Sequence, residues 1–207
     1  MNQASLRTAG QPLGTATNAL ILLHGRGSSA ADILSLASHL HVAGFALLAP
    51  QAPGGSWYPQ SFLAPPAQNE PYLSAALASV AQAVAEAQHH GIAPENLYFG
   101  GFSQGACLTL EYVARHARRY GGVVAFTGGL IGDQVYAENY GGDFAGTPVF
   151  IGSSDPDFHV PVARVRASTA LLTSLGAAVT EKVWPNMGHT ITREEIDLAN
   201  SLVFDRQ

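Results

Sequence analysis

The residues best suited to chemistry lie in Gly101-Phe102-Ser103-Gln104-Gly105, a serine with a glycine two positions away on either side. The stretch follows the apolar run Leu97-Tyr98-Phe99 and precedes an apolar helical pattern, so the serine falls on a strand-to-helix turn. A turn this sharp strains the serine backbone and leaves no room for bulk at the flanking glycines. It also sets the hydroxyl at a helix N-terminus, whose amides favour developing negative charge. That is the setting of a nucleophile, and it separates Ser103 from an ordinary loop serine.

A serine hydroxyl needs a base, and the base needs an acid to orient it. On strand-turn-helix scaffolds the chain order is serine, acid, histidine. His116, His159 and His189 follow Ser103. His116 falls in a helix beside Arg115 and Arg118, the place of a solvated side chain. His189 follows Pro185-Asn186-Met187-Gly188 in the loop after the last apolar run, and is the expected base. Glu111 lies on a helix, Glu181 in a strand, and Asp133, Glu138 and Asp143 in a Gly-rich excursion. Only Asp155 and Asp157 directly follow a strand, and the residues alone leave the acid between these two. A second oxyanion donor belongs on the loop after an earlier strand. His24-Gly25-Arg26-Gly27 fits, so the backbone amides of Arg26 and Gln104 are expected to hold the oxyanion, with the His24 side chain supporting the loop.

The elements that must position these residues are short apolar runs at 19–23, 45–48, 97–99, 123–126, 149–151 and 179–184, read as strands. Continuous apolar runs of this length suit a parallel sheet covered on both faces. Helical patterns alternate with them. Leu73, Ala76, Leu77, Val80, Ala81 and Val84 make one apolar stripe, and Val162, Val165, Thr169, Leu172 and Leu175 another that closes at Gly176. Ser29 with Asp32, and Thr192 with Glu195, read as capping boxes that open two further helices. The alternation predicts an α/β fold with right-handed crossovers, whose ligand site lies beyond the carboxyl ends of the strands.

Composition bounds the remaining classes. The 207 residues suit one domain, residues 1–207, and 47% apolar against 12% charged residues indicates a buried core. The net charge of −5 and the scattered cations argue against a nucleic-acid partner. No apolar run reaches the roughly 20 residues of a membrane span. Residues 1–19 carry no leader pattern, and the single Cys107, among apolar neighbours, fits a buried thiol in a reducing compartment. The expected location is cytoplasmic. His39, His41, His89 and His90 lack acidic or cysteine partners at ligand spacing, so no metal is expected.

Taken together, Leu23-His24-Gly25-Arg26-Gly27, Gly100-Gly101-Phe102-Ser103-Gln104-Gly105, Asp155-Pro156-Asp157, Val160-Pro161 and Gly188-His189 resemble the phospholipase/carboxylesterase family, which includes the acyl-protein thioesterases. The resemblance runs from about residue 19 to the end. It implies an α/β-hydrolase fold, with a mostly parallel central sheet flanked by helices on both faces and no large lid domain. It implies hydrolysis of small-molecule carboxylic esters without cofactor or metal, with thioester or lysophospholipid hydrolysis of longer acyl chains as the alternative and a silent binding scaffold as the remote one. Family members often dimerise, so a homodimer is one expected state. Counting back from Val160-Pro161, the family pattern gives the acid's role to Asp157; counting forward from Gly152 gives it to Asp155. The first count is preferred. The stretch at Trp57 and Tyr58 resembles the family's tryptophan loop, and these two residues with His159 are expected to line the substrate pocket. Arg26 stands where thioesterase members often carry leucine, which argues against a long apolar acyl channel.

Overall fold

The computed structural model describes residues 5–205; the reading of residues 1–19 therefore falls partly outside the described residues. Seven strands form one sheet: β1 (Leu6–Gly10), β2 (Ala19–Leu23), β3 (Ala46–Pro50), β4 (Leu97–Phe102), β5 (Gly122–Phe126), β6 (Pro148–Asp155) and β7 (Ala178–Pro185). Their order is β1-β3-β2-β4-β5-β6-β7, with only β1 antiparallel. Among the described residues five α-helices accompany them: α1 (Ala30–Leu36), α2 (Tyr72–His89), α3 (Gln104–Arg115), α4 (Val162–Ser174) and α5 (Arg193–Ala199). This is the α/β-hydrolase arrangement.

The apolar runs are continuous because the sheet is buried on both faces. Successive side chains of a strand point to opposite sides. Ile21, Leu48, Phe99, Ala125 and Ile151 accordingly join one core with α2, α3 and α4. Leu20, Leu22, Leu47, Val124 and Phe150 join the other, with α1, α5 and the C-terminal turn at Asn200–Phe204.

The sequence reading missed β1. Its residues are largely exposed and carry no apolar signal, so the strand exists through its ladder with β3. The stripe on α2 also shifts: Ala81 is exposed, while Ala83 and Ala87 are buried. The capping box at Thr192 and Glu195 is present in full. At Ser29 only half of it forms: the Ser29 hydroxyl accepts from the Asp32 amide, while the Asp32 carboxylate accepts from the Ser28 and Ser29 hydroxyls.

Register brings the strand ends together. Leu23 pairs with Gly101, Phe102 with Phe126, Phe126 with Gly152, and Asp155 with Pro185. Each loop beyond these residues opens at the same edge of the sheet, as the carboxyl-end rule requires. Two long connections, 51–71 and 127–147, meet where the Gly132 amide donates to the Phe62 carbonyl.

Phe150 is fully buried on β6 with its ring beside Phe126. Truncation of Phe150 to alanine should cost about 3–5 kcal/mol in urea unfolding; a loss under about 1 kcal/mol would show that the face beneath α5 collapses freely.

Candidate active site

Ser103 sits between β4 and α3 with φ 56 and ψ −119, a conformation costly for any residue but glycine. Its amide donates to the Phe126 carbonyl at 3.0 Å, and its carbonyl accepts the Cys107 amide at 2.9 Å. The flanking glycines are required by contact. A Cβ on Gly101 would stand 2.5 Å from the Gly105 carbonyl oxygen, and one on Gly105 would overlap the Leu23 carbonyl. The turn is thus wedged between β2 and the first turn of α3, and the strained serine cannot relax.

The Ser103 hydroxyl donates to His189 Nε2 at 2.8 Å. On the other side of the ring, His189 Nδ1–H donates to Asp157 Oδ2, also at 2.8 Å. The Asp157 side chain is closed from solvent, and its Oδ1 accepts the amides of His159 (2.7 Å) and Val160 (2.9 Å). Burial opposes ionisation of Asp157, but the His189 hydrogen bond and the two amides outweigh it. Its carboxyl is held below the ordinary aspartate value. A carboxylate in this position fixes the imidazole tautomer that leaves Nε2 free to take a proton.

Among the described residues the Asp155 side chain makes no such bond. It is exposed at the end of β6, and its carbonyl accepts the Asn186 amide at 3.0 Å. The preceding Ser154 is buried, and its hydroxyl accepts the Gly188 amide at 3.0 Å, which ties the His189 loop to β6. Sequence reasoning missed Ser154, because a serine inside an apolar strand gives no local signal of its partner. Phe102 and His159 flank the His189 ring at centroid distances of 5.2 and 4.8 Å.

The Arg26 and Gln104 amides belong to the two loops expected to supply oxyanion donors, and among the described residues neither donates to another protein group. Side chains hold both loops. The Gln104 carboxamide accepts the Trp57 amide (3.0 Å) and donates to the Tyr58 carbonyl (2.9 Å). Arg26 donates to the carbonyls of Pro59 (3.0 Å) and Gln60 (2.7 Å). His24 is wholly buried: Nδ1–H donates to the Gly25 carbonyl, and Nε2 accepts the Ala52 amide. Burial lowers its pKa and keeps the ring neutral, as that pairing requires.

A cleft of about 450 Å³ opens beside Ser103, lined among others by Arg26, Tyr58, Phe62, Cys107, His159 and Val160. Tyr58 and His159 line this cleft. Trp57 does not: its ring is buried against His24 at 5.0 Å, and its indole N–H donates to the His24 carbonyl at 2.9 Å. It braces the loop beneath the site. Its amphipathic ring suits that task, with an apolar body in the core and a donor that reaches a backbone acceptor. Cys107 is buried in the cleft wall, and burial pushes its thiol up to about 12, which keeps it unreactive.

A sequence profile of the Phospholipase/Carboxylesterase family matches residues 9–203. The chain is 51% identical to a phospholipase/carboxylesterase from Dyadobacter fermentans, over 99% of both chains, and the two folds superpose with a TM-score of 0.96. It is 31% identical to acyl-protein thioesterase 1 of Kluyveromyces lactis over 78% of each chain. A probable carboxylesterase of Arabidopsis thaliana shares 31% identity over 56% of this chain and 44% of its own. The chain thus spans about half the length of several curated relatives it matches. No helix among the described residues is long and apolar enough to cross a membrane.

Two outcomes follow from this geometry. Asp157→Asn should slow fluorophosphonate labelling of Ser103 by about 10³-fold or more, as loss of an orienting acid does, while Asp155→Asn labels near the wild-type rate. Equal effects of the two substitutions would contradict the geometry.

The second concerns Glu195, fully buried on α5, where one carboxylate oxygen accepts from Thr192 and the other has no partner among the described residues. Burial outweighs the Thr192 bonds and raises its pKa above 4.5. A raised folded-state pKa gives stability that is full below the unfolded value and lost as pH rises through the folded one. Glu195→Gln keeps an acceptor without the titration, so its urea stability should gain on that of the wild type between about pH 4 and pH 7. A difference that stays constant over that range would refute the assignment.

Proposed function

We propose that this chain, which belongs to the phospholipase/carboxylesterase family, hydrolyses short to medium carboxylic esters through an acyl-enzyme on Ser103. The observation that carries the reading is the unbroken hydrogen-bonded chain from Ser103 Oγ through His189 to the buried Asp157. His189 Nε2 takes the hydroxyl proton as Ser103 attacks the ester carbonyl. The Arg26 and Gln104 amides receive the oxyanion, where fixed donors at a helix N-terminus need no reorganisation. The imidazolium formed on His189 faces the Asp157 carboxylate and then protonates the leaving alcohol. Water activated by the same nitrogen releases the acid and restores the serine.

The Kluyveromyces lactis relative bears the name acyl-protein thioesterase, and this favours a second reading in which the scissile bond is a thioester. The same attack and oxyanion would serve it. The Arg26 cation and the modest cleft support the shorter ester.

Ser103→Ala should abolish turnover of p-nitrophenyl acetate and butyrate, leaving no more than a residual rate about 10³-fold or further below wild type. It should also prevent fluorophosphonate labelling. Near-normal turnover by the variant would sink the reading. A panel of oxygen esters and thioesters of rising acyl length separates the two alternatives, since preference for long-chain thioesters would favour the second.

A further inference from the structure

The two proposed oxyanion donors lie on loops after different strands, Arg26 beyond β2 and Gln104 beyond β4. Each residue has two working ends. Its backbone amide has no protein partner among the described residues, while its side chain grips a third stretch of chain. That stretch is the same for both. The Gln104 carboxamide binds the Trp57 amide and the Tyr58 carbonyl, and the Arg26 guanidinium binds the carbonyls of Pro59 and Gln60. Next to Arg26, the Gly27 amide donates to the Gly55 carbonyl at 2.7 Å, which seats the β2 loop on the same connection.

Residues 57–61 belong to no strand or helix, so they have no ladder of their own and side chains must pair their backbone groups. Arg26 and Gln104 supply one side. Asn69 supplies the other. Its side chain is wholly buried at the end of the short helical turn Pro66–Asn69. Asn69 Oδ1 accepts the Gln60 amide at 2.8 Å, and Nδ2 donates to the Ser61 carbonyl at 3.0 Å. The peptide unit between Pro59 and Gln60 is therefore held from both edges, its carbonyl by Arg26 and its N–H by Asn69. Asn69 itself does not line the cleft.

Fixed donors stabilise an oxyanion because they need no reorganisation as charge develops, and a misplacement of about 1 Å costs about 100-fold. Two amides that serve one oxygen must also keep their distance from each other. The long, exposed Arg26 side chain cannot secure this alone, because its anchor would move with it. An anchor pinned from behind by a buried carboxamide can.

We propose that residues 57–61 are a spacer that keeps the Arg26 and Gln104 amides in register, and that Asn69 and the Arg26 guanidinium are its positioning groups. The inference deepens the esterase reading and rests on it.

The test follows kcat and KM on p-nitrophenyl butyrate, per site counted by complete fluorophosphonate labelling, and the Ki of butyl trifluoromethyl ketone. The ketone carbon bonds to Ser103 Oγ, the carbonyl π pair moves onto oxygen as an oxyanion, and the hydroxyl proton passes to His189. Arg26→Ala keeps the backbone amide and removes only its anchor. Both Arg26→Ala and Asn69→Ala should lower kcat per site about 10- to 100-fold, hold KM within about threefold and raise the ketone Ki about as much as kcat falls. Arg26→Lys should restore part of the loss, because an ammonium reaches one carbonyl but lacks the planar fork. A merely structural defect reduces the number of labelled sites and leaves kcat per site and Ki unchanged. Should Asn69→Ala fail to fold, Asn69→Asp takes its place, since it keeps the acceptor for Gln60 and loses the donor to Ser61.

Wild-type kcat per site and Ki in either the Arg26 or the Asn69 variant, or a rise in KM with kcat unchanged, would overturn the proposal and leave the esterase reading intact. Absence of turnover by the wild type, with Ser103 unlabelled, would overturn the two together.

Discussion

The close packing of α3 onto β2 and β4 governs the rest of the structure. No side chain fits at Gly101 or Gly105, because the helix begins against the Leu23 carbonyl and against its own incoming strand. This wedge holds Ser103 at positive φ and turns its hydroxyl out at the sheet edge, with the Gln104 amide at the head of the helix. The local strain persists because the surrounding packing leaves no alternative. The same contact sets the β2 loop beside the serine, so the proposed nucleophile and the candidate oxyanion donors are placed by one constraint.

A second layer of polar contacts turns that placement into a fixed site. Gln104 grips the backbone of Trp57 and Tyr58, Trp57 reaches back to the His24 carbonyl, and His24 binds the Ala52 amide. Arg26 fastens the far side to Pro59 and Gln60. Each link joins a loop after one strand to a loop after another, so neither can move alone. On the opposite side the Ser154 hydroxyl and the Asp157 carboxylate do the same for the loop that carries His189. Supporting groups of this kind hold reacting groups to sub-ångström positions.

Electrostatically the site is set apart from the protein around it. The chain is acidic, and the carboxylate nearest the reacting groups, Asp157, is buried behind His189 and bound by two amides. The cleft in front of His189 is left to Arg26, two histidines and a helix N-terminus. The proposed oxyanion would find the amides of that helix N-terminus there.

The sequence by itself determined the parallel strands and the turn of the proposed nucleophile. Apolar runs on both-face-buried strands and glycines forced by close contact leave local signatures that need no knowledge of neighbours. The turn around Ser103 was legible for that reason, while His189 and the β2 loop were read from their order along the chain. Tertiary structure alone decided what depends on contacts distant in sequence. It separated Asp157 from Asp155, two carboxylates two residues apart, by burying one against His189 and leaving the other at the exposed end of β6. It moved Trp57 from the cleft to the brace beneath it, since an aromatic residue reads alike in either place. It supplied β1, which exists through backbone pairing and carries no apolar pattern. Strand and turn are written in neighbouring residues; the partner of a buried carboxylate is chosen by the fold.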